Sequence, residues 1–331
     1  MCLAISLLVG LAGGCGDSAD SSDPTPSTPL ARALAEIGGG GENASLGVSW
    51  ADRDLVAESG FGAELIPAAL APNADTVVEA AARLRERFGF DPLAAERYVA
   101  VGGSYAFGLR LDGVDGRGLA RALIAAGGRA RDAGSLELIE IGDWAVVPEP
   151  LLSSGVNGLG AFDAFGPDLA VLAISDRARA ALLGDGGRLL DEPSYAAAAD
   201  CLGDVVAARM IPDKQLLSVE VGVELVAVGV RPGGEVLCVL GGTPERAAAV
   251  ATALETSLAP SARDPATGER FRGSIAGVAV SSETYDGVEV VRAELTPAPG
   301  SGPGFLFGTV ARGSLVALIN GAEESFPRSG G

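Results

Sequence analysis

Apolar positions along this chain follow two rhythms. At helical spacing, Val77, Val78, Ala81, Leu84 and Phe88 share one face, and Gly89 supplies a stop, so the spacing predicts a helix over 75–88. Thr28-Pro29 places a capping residue before a proline and opens an earlier helix. Leu30, Leu34 and Ile37 form its stripe, and the glycines 38–41 end it. Asp91-Pro92 predicts a further helix running to about Tyr98, and 45–50 reads as a strand.

Beyond Tyr98 the pattern turns to short alternating runs, and the same order occurs twice. The first pass has strands at 99–101 and 105–111, a helix over 118–126, and strands at 136–141, 144–147 and 169–174. The second has strands at 225–230 and 235–240, a helix over 244–258, and strands at 275–282, 288–295, 305–310 and 315–319. Asp176–Leu183 and an Ala-rich helix over 193–210 lie between the passes, Ala being the strongest helix former. The expected fold class is therefore α+β. It is mainly antiparallel sheet with helices covering one face and a partner layer on the other. The duplication of a strand-strand-helix-strand unit rests on order alone, and places two similar halves at about 44–190 and 211–322 within a globular region over 29–325. Residues 326–331 form a tail.

The N-terminus differs from all of this. Residues 3–12 are a short apolar run, well under the roughly 20 residues a membrane-spanning helix needs. The run fits the apolar region of an export signal. Leu11-Ala12-Gly13-Gly14-Cys15 follows, and then GDSADSSDPTPST over 16–28, a polar stretch that cannot pack and reads as a flexible spacer. Small residues before a cysteine and polar residues after it resemble the lipobox of bacterial lipoproteins, with Ala12 in the place usually held by leucine. The resemblance covers about 15 residues and implies three things. Residues 1–14 are a signal peptide, Cys15 is the mature N-terminus, and its thiol carries a diacylglyceryl group. The expected location is the outer face of the cell membrane, or the outer membrane in a cell that has one. Two acyl chains give stable anchoring, since each buried methylene contributes about 0.8 kcal/mol.

Composition narrows the chemistry. The chain has 331 residues with a formal net charge of −19, and its pI is near 4.4. Such a surface repels nucleic-acid phosphates and anionic lipid headgroups alike, so neither nucleic acid nor an electrostatic membrane contact is expected. Lys214 is the one lysine in the sequence, and there is no histidine. The lack of histidine removes the Ser-His-Asp and Cys-His nucleophile systems and the commonest transition-metal ligand.

Apart from Cys2 and Cys15, the cysteines are Cys201 and Cys238, which read as a disulfide in an exported chain. Two cysteines without histidine cannot complete a zinc shell, and no cofactor or metal is expected. Gly102-Gly103-Ser104-Tyr105-Ala106 is similar to a nucleophile elbow. A strand follows it where the elbow needs a helix, so a turn between strands is the simpler reading. Lys214 has no S-x-x-K partner for a Ser-Lys dyad. Asp112-Gly113-Val114-Asp115-Gly116 holds part of a calcium loop, with Asp115 placed to cap the next helix. Glu137, Glu140 and Asp143, and equally Glu220, Glu224, Glu289 and Glu294, could pair as glycosidase carboxylates or simply face solvent on strands. Thr243-Pro244 caps a helix. No catalytic residue is assigned. The expectation is an anchored, non-enzymatic lipoprotein that binds an apolar small molecule or a partner protein of the envelope. The alternatives are a carboxylate hydrolase and a structural component.

Overall fold

The computed structural model describes residues 26–39, 43, 45–70, 74–103, 106–126, 129–133, 136–140, 163–173, 175–216, 222–264, 268 and 270–320. Cys2, Cys15, the spacer up to Thr25, Ser104, Asp143, the 144–147 run, Glu220 and the 326–331 tail lie outside them.

Thr28 accepts from Ala31 N at 3.1 Å and starts α1 (Pro29–Ala35), which leads into the two-residue strand β1 (Gly38–Gly39). Strand β2 (Gly47–Asp52) follows, and the Asp52 carboxylate caps α2 (Arg53–Glu58). Next come α3 (Leu65–Leu70) and α4 (Ala74–Phe88). The helix expected from Asp91 is a single turn over Pro92–Ala94, because β3 (Arg97–Gly103) claims the chain for pairing. Then come β4 (Ala106–Asp112), α5 (Gly116–Ala125), β5 (Arg129–Ala133), β6 (Leu136–Glu140), β7 (Asp163–Phe165) and β8 (Leu169–Ala173). Helix α6 (Asp176–Leu182) and β9 (Gly187–Arg188) follow.

The Ala-rich helix α7 (Pro193–Leu202) is shorter than its composition predicts. Gly203, at φ 65°, stops it, and Ala207–Pro212 is strand β10 rather than helix. Alternation explains the switch: Ala207 and Ile211 join one core while Ala208 and Met210 join the other. Strands β11 (Leu225–Arg231) and β12 (Gly234–Leu240), helix α8 (Pro244–Ser257), and strands β13 (Ile275–Tyr285) and β14 (Val288–Pro297) follow. The turn of the last hairpin is Asp286-Gly287, with φ 45° and 83°, the left-handed pair that a two-residue hairpin loop requires. The chain over 305–319 forms helices α9 (Phe305–Ala311) and α10 (Leu315–Asn320), not the two strands its β-branched residues predict.

Among the described residues, twelve strands make one antiparallel sheet in the order β13-β14-β12-β11-β10-β2-β3-β4-β8-β7-β6-β5. A hairpin followed by a capped helix occurs on either side of the β2–β10 seam. In each half a hairpin (β3–β4, β11–β12) leads through a left-handed glycine, Gly113 or Gly241, to a helix cap, Asp115 or Thr243. The spacing from glycine to cap is the same in both halves. The strand after the helix runs to the sheet edge, and a later one returns beside the hairpin, β8 on β4 and β14 on β12. The first half inserts β6 and β7.

Helices cover both faces, where the sequence predicts only one. Side chains of α2–α5 and α8–α10 join one core with Tyr98, Leu109, Leu111, Val228 and Leu237. Side chains of α1, α6 and α7 join the other with Trp50, Val99, Val101 and Leu225. Small residues set how closely the helices approach. A Cβ on Gly108 would lie 2.7 Å from Leu182 Cδ1, and one on Gly229 would lie 2.7 Å from Val205 Cγ1. Gly116 is tighter still, since a Cβ there would sit 1.9 Å from the Leu169 carbonyl oxygen, a backbone atom that cannot swing away. Gly116→Ala is therefore expected to destabilise the fold by roughly 2–3 kcal/mol through overpacking, read as a lower urea midpoint at unchanged m-value. Full wild-type stability would contradict the contact.

Candidate functional site

Two clefts, each of about 420 Å³, are built from charged side chains. The first lies where α1 meets the ends of β2, β3 and β4, and is lined by Arg32, Asp52, Glu96, Arg97 and Asp112 among others. Alternation places Arg110 and Asp112 on one side of β4, and the register sets Arg97 opposite Asp112. Arg97 Nε donates to Asp112 at 2.7 Å, and its two terminal nitrogens grip Glu36 at 3.1 and 2.6 Å. Arg110 repeats the arrangement, donating to Asp112 at 2.9 Å, to Glu36 at 2.7 Å and to the Leu182 carbonyl at 3.3 Å. Burial lowers the proton affinity of Arg97, but its bonds to Glu36 and Asp112 outweigh that and hold it above the ordinary guanidinium value. Two cations and two carboxylates thus close on each other, tying α1 and the end of α6 to β3 and β4. The Asp52 oxygen on this cleft is engaged in the α2 cap, accepting from Asp54 N and Leu55 N at 3.1 and 3.0 Å.

The second cleft lies beside α9 and is lined by Asp264, Arg270, Phe271, Ser301, Phe305 and Arg312 among others. Two carboxylates buried at 3% and 5% exposure, Glu235 and Asp264, brace this helix from opposite ends. Glu235 projects from β12 and accepts from Gly304 N and Phe305 N at 2.9 Å and from Leu306 N at 2.7 Å. Burial pushes its carboxyl above the ordinary range, and the three N–H donors oppose that shift. Asp264 pairs with Arg312 at 2.9 Å and accepts from Ser314 Oγ at 3.3 Å. Phe271 and Phe305 meet edge to face, with centroids 4.9 Å apart. The donors around these carboxylates belong to the protein itself, so their chemistry here is to fix α9.

No family model, curated protein or solved structure matches this chain. Its chemistry is therefore read from its own residues.

The other residues singled out by the sequence fall as follows. Cys201 and Cys238 form a disulfide with sulfurs 2.04 Å apart, joining α7 to β12. Asp112 serves the arginine network, and Asp115 accepts from Gly118 N at 2.7 Å as the α5 cap, so the partial calcium loop is a strand end followed by a cap. Gly103 of β3 pairs with Ala106 of β4, so the element after β3 is a strand and not the helix an elbow needs. Lys214 is exposed in a single helical turn over Asp213–Gln215. Glu224 accepts from Ser194 at 2.7 Å, Glu289 from Thr284 at 3.1 Å, and Glu294 pairs with Arg231 and Arg292 at 2.6 and 2.9 Å. Glu289 and Glu294 project to opposite faces of β14, so they do not converge. Glu137 and Glu140 lie on β6. Thr243 caps α8 by accepting from Arg246 N at 3.3 Å. Among the described residues no cluster of three or more potential metal ligands occurs, and no helix is long and apolar enough to cross a membrane.

Sequence reading alone does not single out Glu36, Arg97, Arg110, Ser49, Arg209, Glu235 or Asp264. Each gains its role from a neighbour in another element. The signal that does exist is a charged residue at an apolar-phase position within a strand, as with Arg209 between Ala208 and Met210.

Proposed function

We propose that this chain is a membrane-anchored lipoprotein of the cell envelope. Its folded body acts as a non-enzymatic binding protein, held away from the lipid by the polar spacer. The observation that carries the exported location is the Cys201–Cys238 disulfide, whose residues are 1% and 0% exposed. Such bonds persist in oxidising compartments and are rare in the cytosol. The lipobox-like residues before Cys15 supply the anchor, and the net charge of −19 argues against an electrostatic attachment to anionic lipid. The binding-protein reading is supported by the engagement of the cleft carboxylates Asp112 and Asp264 with donors of the protein itself.

Fractionation tests the anchor. Wild-type protein expressed in a bacterial host is expected in the membrane pellet and to resist a high-salt wash. Cys15→Ser is expected to move most of it to the soluble exported fraction or to leave it as unprocessed precursor. A Cys15→Ser protein that pellets with wild-type processing and wild-type yield contradicts the proposal.

A further inference from the structure

The β2–β10 seam contains an arginine, Arg209, that no carboxylate among the described residues neutralises. In the β2–β10 pair Arg209 faces Ser49, and across its other edge Arg209 faces Val228 of β11. Ser49 in turn faces Ala100 of β3. Val228, Ala100 and the flanking residues Ala51, Ala207 and Ile211 all belong to the core shared with α2–α5 and α8–α10. Arg209 and Ser49 therefore project toward that helical layer from the middle of a twelve-stranded sheet.

The strand positions around them are small. Gly47 and Gly102 pair next along β2 and β3 on the same side. The Gln215 side chain lies over them, its Nε2 donating to the Gly102 and Ser45 carbonyls at 2.9 and 3.1 Å. A Cβ on Gly47 would come within 2.5 Å of Gln215 Oε1, so glycine is what leaves room for the amide. Gly, Ser, Ala and Gly thus make a low floor beside a long cationic side chain.

Arg209 has no hydrogen-bond acceptor and no carboxylate partner among the described residues. Burial alone lowers its pKa to about 10, with no opposing charge to raise it. Ser49 is 7% exposed and likewise makes no hydrogen bond with the described residues. Arg209 is part-buried, and its guanidinium offers five N–H donors that no acceptor among the described residues engages. The contrast with Arg97 and Arg110 is direct, since both of those have their carboxylates in place.

We propose that Arg209 and Ser49 form a binding site for the oxyanion group of a small molecule, a carboxylate or a phosphate, at the seam of the two halves. The planar guanidinium fork binds two oxygens of one anion, and the Ser49 hydroxyl supplies a further donor. The site deepens the binding-protein reading by naming the ligand chemistry, and rests on it only in that respect.

The test is calorimetric titration of the full chain with inorganic phosphate and, separately, with succinate, at ionic strength fixed with sodium chloride. The thermal midpoint is followed in parallel. Saturable binding of at least one probe is expected, with a rise in the wild-type midpoint. Phosphate alone binding identifies a phosphoryl ligand, and succinate binding identifies a carboxylate. Arg209→Met keeps the length of the side chain and removes the charge. It is expected to fold with no loss of stability in the absence of probe and to show no binding. Arg209→Lys keeps the charge without the fork, and Ser49→Ala removes the neighbouring donor; each is expected to weaken binding about tenfold. If Arg209→Met does not fold, these two variants decide the question. Failure of both probes to bind wild type, or equal binding by wild type and the variants, overturns the site. Neither outcome alters the fractionation result on which the anchor stands.

Discussion

Breaking the Cys201–Cys238 bridge is expected to lower the stability of the folded body by roughly 3–4 kcal/mol. The bond closes a loop of 37 residues, and the chain-entropy account assigns that magnitude to a loop of this size. For a domain this large, such a change lowers Tm by on the order of 10 °C. The position of the bridge adds a kinetic expectation. Cys201 sits on the sheet-facing side of α7, and Cys238 lies in a strand all of whose residues are buried. A reductant therefore reaches the sulfurs only after local opening, so the native protein should resist dithiothreitol, which reduces it readily in denaturant. Scanning calorimetry of Cys201→Ala/Cys238→Ala against wild type measures the first effect, and thiol labelling with and without urea measures the second. A double variant as stable as wild type would show that the core alone holds α7 on the sheet.

Glu235→Ala is expected to cost about 3–5 kcal/mol. The substitution leaves the amides of Gly304, Phe305 and Leu306 without their acceptor, and each buried unmatched donor costs about 1–3 kcal/mol. It also opens space under α9, where Leu306 and Phe307 are each 1% exposed. The loss should concentrate at one end of the fold. Amide exchange in 304–311 should quicken well before exchange in β11, an interior strand of the sheet. Glu235→Gln retains one acceptor oxygen and turns an N–H₂ toward the same donors, so it should fall between alanine and wild type. Uniform destabilisation without faster local exchange would contradict the capping role.

How much of this was legible in the sequence depends on how local its cause is. Helix 75–88, the hairpins β3–β4 and β11–β12, and the α5 and α8 caps are readable because one period and one cap residue determine each. The disulfide is readable by elimination, since two cysteines remain once the N-terminal pair is set aside. Strand β10 hides behind the alanines of 196–199: alanine at 207 and 208 continues their composition, and only Gly203 marks the change. Helix α9 hides for a different reason. Its first amides are capped by Glu235, 69–71 residues away, while Val310 and Thr309 favour a strand locally. The charged clusters are the least legible. Arg97 and Asp112, or Arg209 and Ser49, become neighbours only through strand register, which alternation within one strand does not reveal. The second helical layer escapes notice for a similar reason. Strands β11 and β12 are buried on both faces, so their runs are almost continuously apolar and do not say how many layers cover them.

The proposal that the chain is lipid-anchored at Cys15 has one most direct test, mass spectrometry of the N-terminal peptide from protein extracted out of host membranes with detergent. The expected peptide begins at Cys15 and carries a thioether-linked diacylglyceryl group. A mature chain that begins at any other residue, or one that carries Cys15 unmodified, would contradict the account.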